Sequence, residues 1–135
     1  MDQEPGHQTA RILVVEDHPD MQQLLVWQIE KMGYSVALAR GGKEGVEKAI
    51  EENPEFILMD ILMPGMDGRE ATRMLRRNHE TQDVPILATT ALFRESDLKS
   101  CIEAGCDDYL AKPFTFEELK RKVQELMRIP STTTP

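Results

Sequence analysis

Five times between Arg11 and Arg128, a short aliphatic run gives way to a helix-length amphipathic segment. The runs are Arg11–Val15, Ser35–Ala39, Glu55–Met59, Val84–Thr89 and Asp108–Ala111; the segments that follow them are Pro19–Met32, Gly42–Glu52, Asp67–Arg77, Glu95–Ala104 and Phe116–Arg128. Near-continuous aliphatic strands are buried on both faces, the habit of parallel sheets. Regular β–α alternation then demands right-handed crossovers, hence an α/β fold. The punctuation agrees. Gly33 and Gly105 follow the first and fourth helices, and Pro54 stops the second. Asp67 is placed to cap the third, and Thr115 with Glu118 reads as a capping box for the last. The 135 residues suit one domain over 11–128, with a polar tail over 1–10 and a C-terminal tail or linker stub over 129–135.

Composition excludes several classes of function. A net charge of −8 argues against direct nucleic-acid binding, which needs a basic face. It fits a cation-binding pocket or basic partners, and an acidic surface alone would also produce it. No apolar run reaches membrane-spanning length, so no membrane insertion is expected, and "MDQEPGHQTA" lacks the features of a signal peptide. Cys101 and Cys106 have neither metal-ligand nor redox spacing and read as reduced packing thiols of a cytoplasmic protein. His7, His18 and His79 show no ligand spacing either; His18 reads as a surface residue near the first strand end.

In an open parallel sheet, ligands bind beyond the carboxyl ends of the strands. Glu16 and Asp17 follow the first strand, Asp60 the third, Thr89 and Thr90 end the fourth, and Lys112 follows the fifth. Three carboxylates brought to one edge repel, and a hard divalent cation relieves the repulsion. Mg2+ suits a few carboxylates, a backbone carbonyl and waters, and commonly bridges to phosphate oxygens. A carboxylate is also a competent nucleophile for a phosphoryl group. The set therefore points to phosphoryl transfer, in which the protein mainly positions groups and neutralises charge. Asp60 is the expected nucleophile, with Glu16 and Asp17 on the metal. The loop "LMPGMDG" offers a backbone carbonyl, that of Leu62, to the same ion. Lys112, the Thr90 hydroxyl and the Ala91 backbone N–H are expected to receive phosphoryl oxygens.

"ILVVEDHP" (Ile12–Pro19), "DILMPGMDG" (Asp60–Gly68), "PILATTA" (Pro85–Ala91) and "AGCDDYLAKPF" (Ala104–Phe114) together resemble the receiver domain of two-component response regulators, from Arg11 to about Arg128. The resemblance implies a flavodoxin-like (βα)5 doubly wound sheet of five parallel strands in the order 2-1-3-4-5. It implies a histidine kinase or histidine phosphotransfer protein as phosphodonor, a cis Lys112–Pro113 bond, and Thr90 rather than Thr89 as the active hydroxyl. It also implies a switch in which Thr90 moves to the phosphoryl group, Tyr109 swings inward, and the surface of the fourth helix, fifth strand and fifth helix changes shape. The wording of "MDGREATRMLRR" and "CIEAGCDDYLAKPF" leans towards receivers of hybrid histidine kinases and phosphorelays. Leu62 and Leu92 occupy positions where the family often carries polar groups. Neither can orient water, so slow self-dephosphorylation is expected. Such a chain is a self-phosphorylating and self-dephosphorylating switch rather than a turnover enzyme.

Three other readings are weaker. A phosphorylation-independent interaction module of the same fold would not need the complete site. An aspartyl phosphatase would want a second aspartate where Leu62 stands. A flavin-binding protein would want a phosphate-cradling loop, but "EDHPD" is acidic and has no glycine. On the first helix, Met21, Leu25, Gln28, Ile29 and Met32 form the core stripe, which leaves Val26 and Trp27 outside it. An exposed Val26–Trp27 pair suggests a contact surface for a helical phosphodonor or for self-association as a homodimer; the alternative is that Trp27 lies flat against a neighbouring helix or its own polar neighbours.

Overall fold

The computed structural model describes residues 10–92 and 94–128, apart from the side chain of Arg128. Along the chain they form β1 (Arg11–Val15), α1 (Pro19–Lys31), β2 (Ser35–Ala39), α2 (Gly42–Glu52), β3 (Phe56–Asp60), α3 (Gly68–Arg77), β4 (Ile86–Thr90), α4 (Glu95–Ala104), β5 (Asp108–Ala111) and α5 (Phe116–Arg128). All adjacent strands pair in parallel, in the order β2-β1-β3-β4-β5. The flavodoxin-like doubly wound sheet is therefore the observed architecture.

Alternate strand residues feed two separate cores, because successive side chains point to opposite faces. Leu13, Val15, Ile57, Met59, Ile86 and Ala88 meet α2, α3 and α4 through Val46, Ala49, Ala71, Leu75 and Cys101. Ile12, Val14, Phe56, Leu58 and Leu87 meet α1 and α5 through Leu25, Ile29, Leu119 and Val123. Cys101 and Cys106 are buried in the first core, and burial pushes the Cys106 thiol up to about 11 against the opposing bond from Thr72. An inert packing thiol is the result.

Most boundaries agree with the sequence, and the exceptions have local causes. β4 starts at Ile86 rather than Val84, because Pro85 brings no N–H to the ladder. The Pro85 carbonyl still accepts the Ile57 N–H at 2.9 Å. β3 runs from Phe56 through Asp60 instead of stopping at Met59, so the carboxylate belongs to the strand. Asp67 caps α3 by accepting the Arg69 N–H. Thr115 and Glu118 form the reciprocal capping box, with bonds of 3.1 and 2.9 Å. The Ala10 carbonyl, just ahead of β1, accepts the Ser35 N–H at 2.9 Å. Residues 1–9 and 129–135 lie outside the described residues.

Candidate functional site

The carboxyl edge of the sheet gathers the acids foreseen there. Glu16 leaves β1 with its N–H bonded to the Ala39 carbonyl at 3.0 Å, and it is only 2% exposed. Asp60 ends β3 and is 4% exposed. One oxygen each from Glu16, Asp17 and Asp60 lies within 4.8 Å of the others. The Lys112 ammonium reaches in after β5, donating to Asp60 Oδ1 at 3.0 Å and standing 3.5 Å from Glu16 Oε1. The Lys112–Pro113 peptide that follows is cis. These groups, with His18, Met21 and Leu62, line a hollow of about 340 Å³. Two larger hollows, along α3 and beside Tyr109, contain no such cluster.

Electrostatics follow from this crowding. Burial pushes the Asp60 carboxyl up from its ordinary 3.8 to about 6; Glu16 adds to the rise, and Lys112 opposes it. Glu16 Oε2 accepts the His18 N–H at 3.1 Å, but Oε1 is buried without a hydrogen-bond partner. Three carboxylates against one ammonium leave two negative charges, and one oxygen is orphaned. The donors are hard oxygens. The chain's own residues thus fit a divalent cation such as Mg2+.

Thr90 and Ala91 stand at the end of β4, beside Asp60's strand. Thr90 is fully buried, and its hydroxyl accepts the Leu92 N–H at 3.0 Å, so it is turned to its own loop rather than bonded to Asp60. Its carbonyl accepts the Lys112 N–H at 2.8 Å, which anchors the lysine segment. Leu62 is 47% exposed at the rim of the hollow. Leu92 instead is half-buried against the α2–α3–α4 core. Tyr109 is half-buried and lines the neighbouring hollow with α4 residues Leu98 and Ile102.

The first helix departs in part from expectation. Trp27 is 57% exposed, but Val26 is half-buried and lines a hollow with Leu38 of β2. The Lys31 ammonium sits 4.7 Å from the Trp27 ring centre and 5.3 Å from that of Phe116 on α5. Leu24, which the sequence reading passed over, is 46% exposed. Its spacing from Met21 and Trp27 was the available signal. His18 is exposed, as expected, and also lines the hollow.

Among the described residues no helix is long and apolar enough to cross a membrane. Residues 12–124 match the response regulator receiver domain family. The chain is 37% identical over 118 residues to the DNA-binding dual master transcriptional regulator RpaA of Synechocystis sp., covering 87% of this chain and 49% of that protein. It thus spans about half of that relative's length. It is 38% identical to protein PilH of Pseudomonas aeruginosa, covering 87% of this chain and 98% of PilH. The crystal structure of the receiver domain of sensor histidine kinase PA1611 from Pseudomonas aeruginosa superposes with a TM-score of 0.84 at 38% identity, covering 90% of this chain and 99% of that one. That structure has a magnesium ion coordinated in its active site cleft. With the sheet order, the convergent acids and these likenesses in agreement, the chain belongs to the response regulator receiver domain family.

Proposed function

We propose that Asp60 accepts a phosphoryl group from the phosphohistidine of a histidine kinase or histidine phosphotransfer protein, and that the acyl phosphate reshapes the α4–β5–α5 surface to signal. The observation that carries this reading is the convergence of Glu16, Asp17 and Asp60 on one hollow, with Lys112 bonded to Asp60. An Asp60 carboxylate oxygen attacks phosphorus, the P–N bond breaks, and the imidazole leaves with the bonding pair. Lys112, already 3.0 Å from Oδ1, steadies the attacking carboxylate and then a phosphoryl oxygen. The Ala91 N–H and the Thr90 hydroxyl take the remaining oxygens. Glu16, Asp17, Asp60 and the Leu62 carbonyl would hold Mg2+, which would neutralise charge on the transferring group.

Thr90 gives up its bond to Leu92 when it serves the phosphoryl group, and Tyr109 follows inward. Leu62 and Leu92 bring no polar group to position water, so the acyl phosphate is long-lived. Trp27, with Val26 at its edge, is the contact surface on α1 for a helical phosphodonor or for a second copy of the chain. The receiver unit spans 11–128, its setting is the cytoplasm, and its downstream effector is a protein surface or output domain.

Mg2+-dependent labelling with acetyl phosphate tests the reading: Asp60→Asn should abolish it. Folded wild-type protein that takes no label would favour the phosphorylation-independent interaction module instead, and labelling that survives Asp60→Asn would place the acceptor elsewhere.

A further inference from the structure

Arg69 stands at the start of α3, just after the Asp60 loop, and its guanidinium is shared between two helices. Nε donates to Asp67 Oδ1 at 3.1 Å and Nη2 to Asp67 Oδ2 at 2.8 Å, while the Arg69 backbone N–H donates to Oδ1 at 2.7 Å. The third arm crosses to α4, where Nη1 donates to the Ser100 hydroxyl at 2.8 Å. Ser100 in turn donates to the Asp97 carbonyl at 2.7 Å.

The other end of this train rests on the phosphoacceptor. Gly68 lies between Asp67 and Arg69, and its N–H donates to the Ile61 carbonyl at 2.9 Å. A Cβ there would run into the Asp60 carbonyl oxygen and come within 2.8 Å of Ile61 Cα. The backbone of Asp60, the Asp67 corner, the Arg69 fork and α4 are therefore in unbroken contact. α4 is tied to the site a second time through the chain, because Thr90 leads into it and holds the Leu92 N–H.

We propose that the Arg69–Ser100 bond is a latch that holds α4 in the packing seen here and so sets how readily Asp60 takes a phosphoryl group. This deepens the phosphoacceptor reading and rests on it. For Thr90 to serve a phosphoryl oxygen, its hydroxyl must leave Leu92, and the segment ahead of α4 is released. Ser100 then shifts against α3. The Arg69 fork cannot follow, because Asp67 holds its plane with two parallel bonds. A hydrogen bond weakens steeply outside a narrow range of distance and angle, so this one belongs to one packing only. A contact made in only one of two states biases their populations by its own free energy. Arg69 is thus a positioning residue, acting through α4 rather than on the reacting atoms.

The test is the affinity of the full chain for beryllofluoride, a phosphoryl mimic, at fixed Mg2+, read by NMR. Arg69→Met and Ser100→Ala should each bind about fivefold tighter, which corresponds to a hydrogen bond of ~1 kcal/mol. The double variant should bind no tighter than either single one, because both break the same bond. Ser100→Thr keeps the hydroxyl and should behave as wild type. A purely structural role would lower the melting temperature and leave the affinity alone. Unchanged or weaker affinity in folded Arg69→Met or Ser100→Ala, or effects that add in the double variant, would overturn the latch. Wild-type protein that binds no beryllofluoride, or binding that persists in Asp60→Asn, would overturn the phosphoacceptor reading itself and the latch with it.

Discussion

Asp60 is a charge held where burial opposes it, and that cost is measurable. Burial pushes its folded-state carboxyl up to about 6 from an ordinary 3.8. Between about pH 4 and pH 6 the unfolded chain has released this proton while the folded chain keeps it. Stability contributed by this group therefore falls as the pH rises through that window. A net rise of about 2 units, which already includes the opposing Lys112 pair, is worth roughly 3 kcal/mol. In EDTA at neutral pH, Asp60→Asn should stabilise the fold by roughly 1–3 kcal/mol and flatten the pH dependence between about 4 and 6. Thermal melts across that range check both. Mg2+ should raise the melting temperature of wild type more than that of the variant.

Leu62 and Leu92 both stand where neither can orient an attacking water, but their surroundings differ. Leu62 is exposed beside the acids, whereas Leu92 packs against the core. Of the two, Leu62 is therefore the one placed beside the acids, and its proposed effect on phosphoryl lifetime is open to test. Leu62→Asn should speed decay of the phosphorylated protein, by less than the ~100-fold of a full general base. Unchanged decay would remove Leu62 from that role.

Between residues and fold, single contacts fix how elements meet. Gly68→Ala would push a methyl into the Asp60 carbonyl and Ile61. It should cost about 1–3 kcal/mol of stability and slow acetyl phosphate labelling without touching a site side chain. Denaturant midpoints and initial rates measure the two effects. Arg76 is a second joint. It donates to the carbonyls of Gly105, Gln82 and Val84 at 2.9, 3.1 and 2.7 Å, and to Asp107 Oδ2 at 3.0 Å. That same Asp107 oxygen accepts the Ile86 N–H at 2.8 Å. Arg76→Ala should destabilise by about 2–4 kcal/mol, against less than about 0.5 for the neighbouring exposed Arg77→Ala.

The elements themselves were largely legible, because their caps are written in local sequence. Asp67 and the Thr115–Glu118 pair bond as their spacing foretells. Strand ends were less so. Whether Asp60 lies inside β3 depends on its ladder partner Thr89, which is far away in sequence. Val26 is a similar case: helical periodicity puts it off the core stripe, but it is half-buried, in a hollow that Leu38 of β2 also lines.

Taken as one body, the chain is a sheet with separate cores above and below and its acids at one edge. The β–α alternation carried the fold class, and strand-end residues carried the site. The order 2-1-3-4-5 did not follow from alternation; it came through the family resemblance and is now seen in the pairing. The Arg69–Ser100 bond was not legible either, because it joins side chains of two helices whose crossing no local pattern encodes. The Thr90 hydroxyl accepts the Leu92 N–H, a bond its strand-end position did not foretell.

One measurement bears on all of this most directly: intact mass after acetyl phosphate and Mg2+, with the modified residue mapped and challenged with hydroxylamine. The expected result is one phosphoryl group per chain, on Asp60, released by hydroxylamine as inorganic phosphate with a hydroxamate left on Asp60, and absent in EDTA or in Asp60→Asn. A label on another residue, or no label on folded wild-type protein with Mg2+ present, would contradict it.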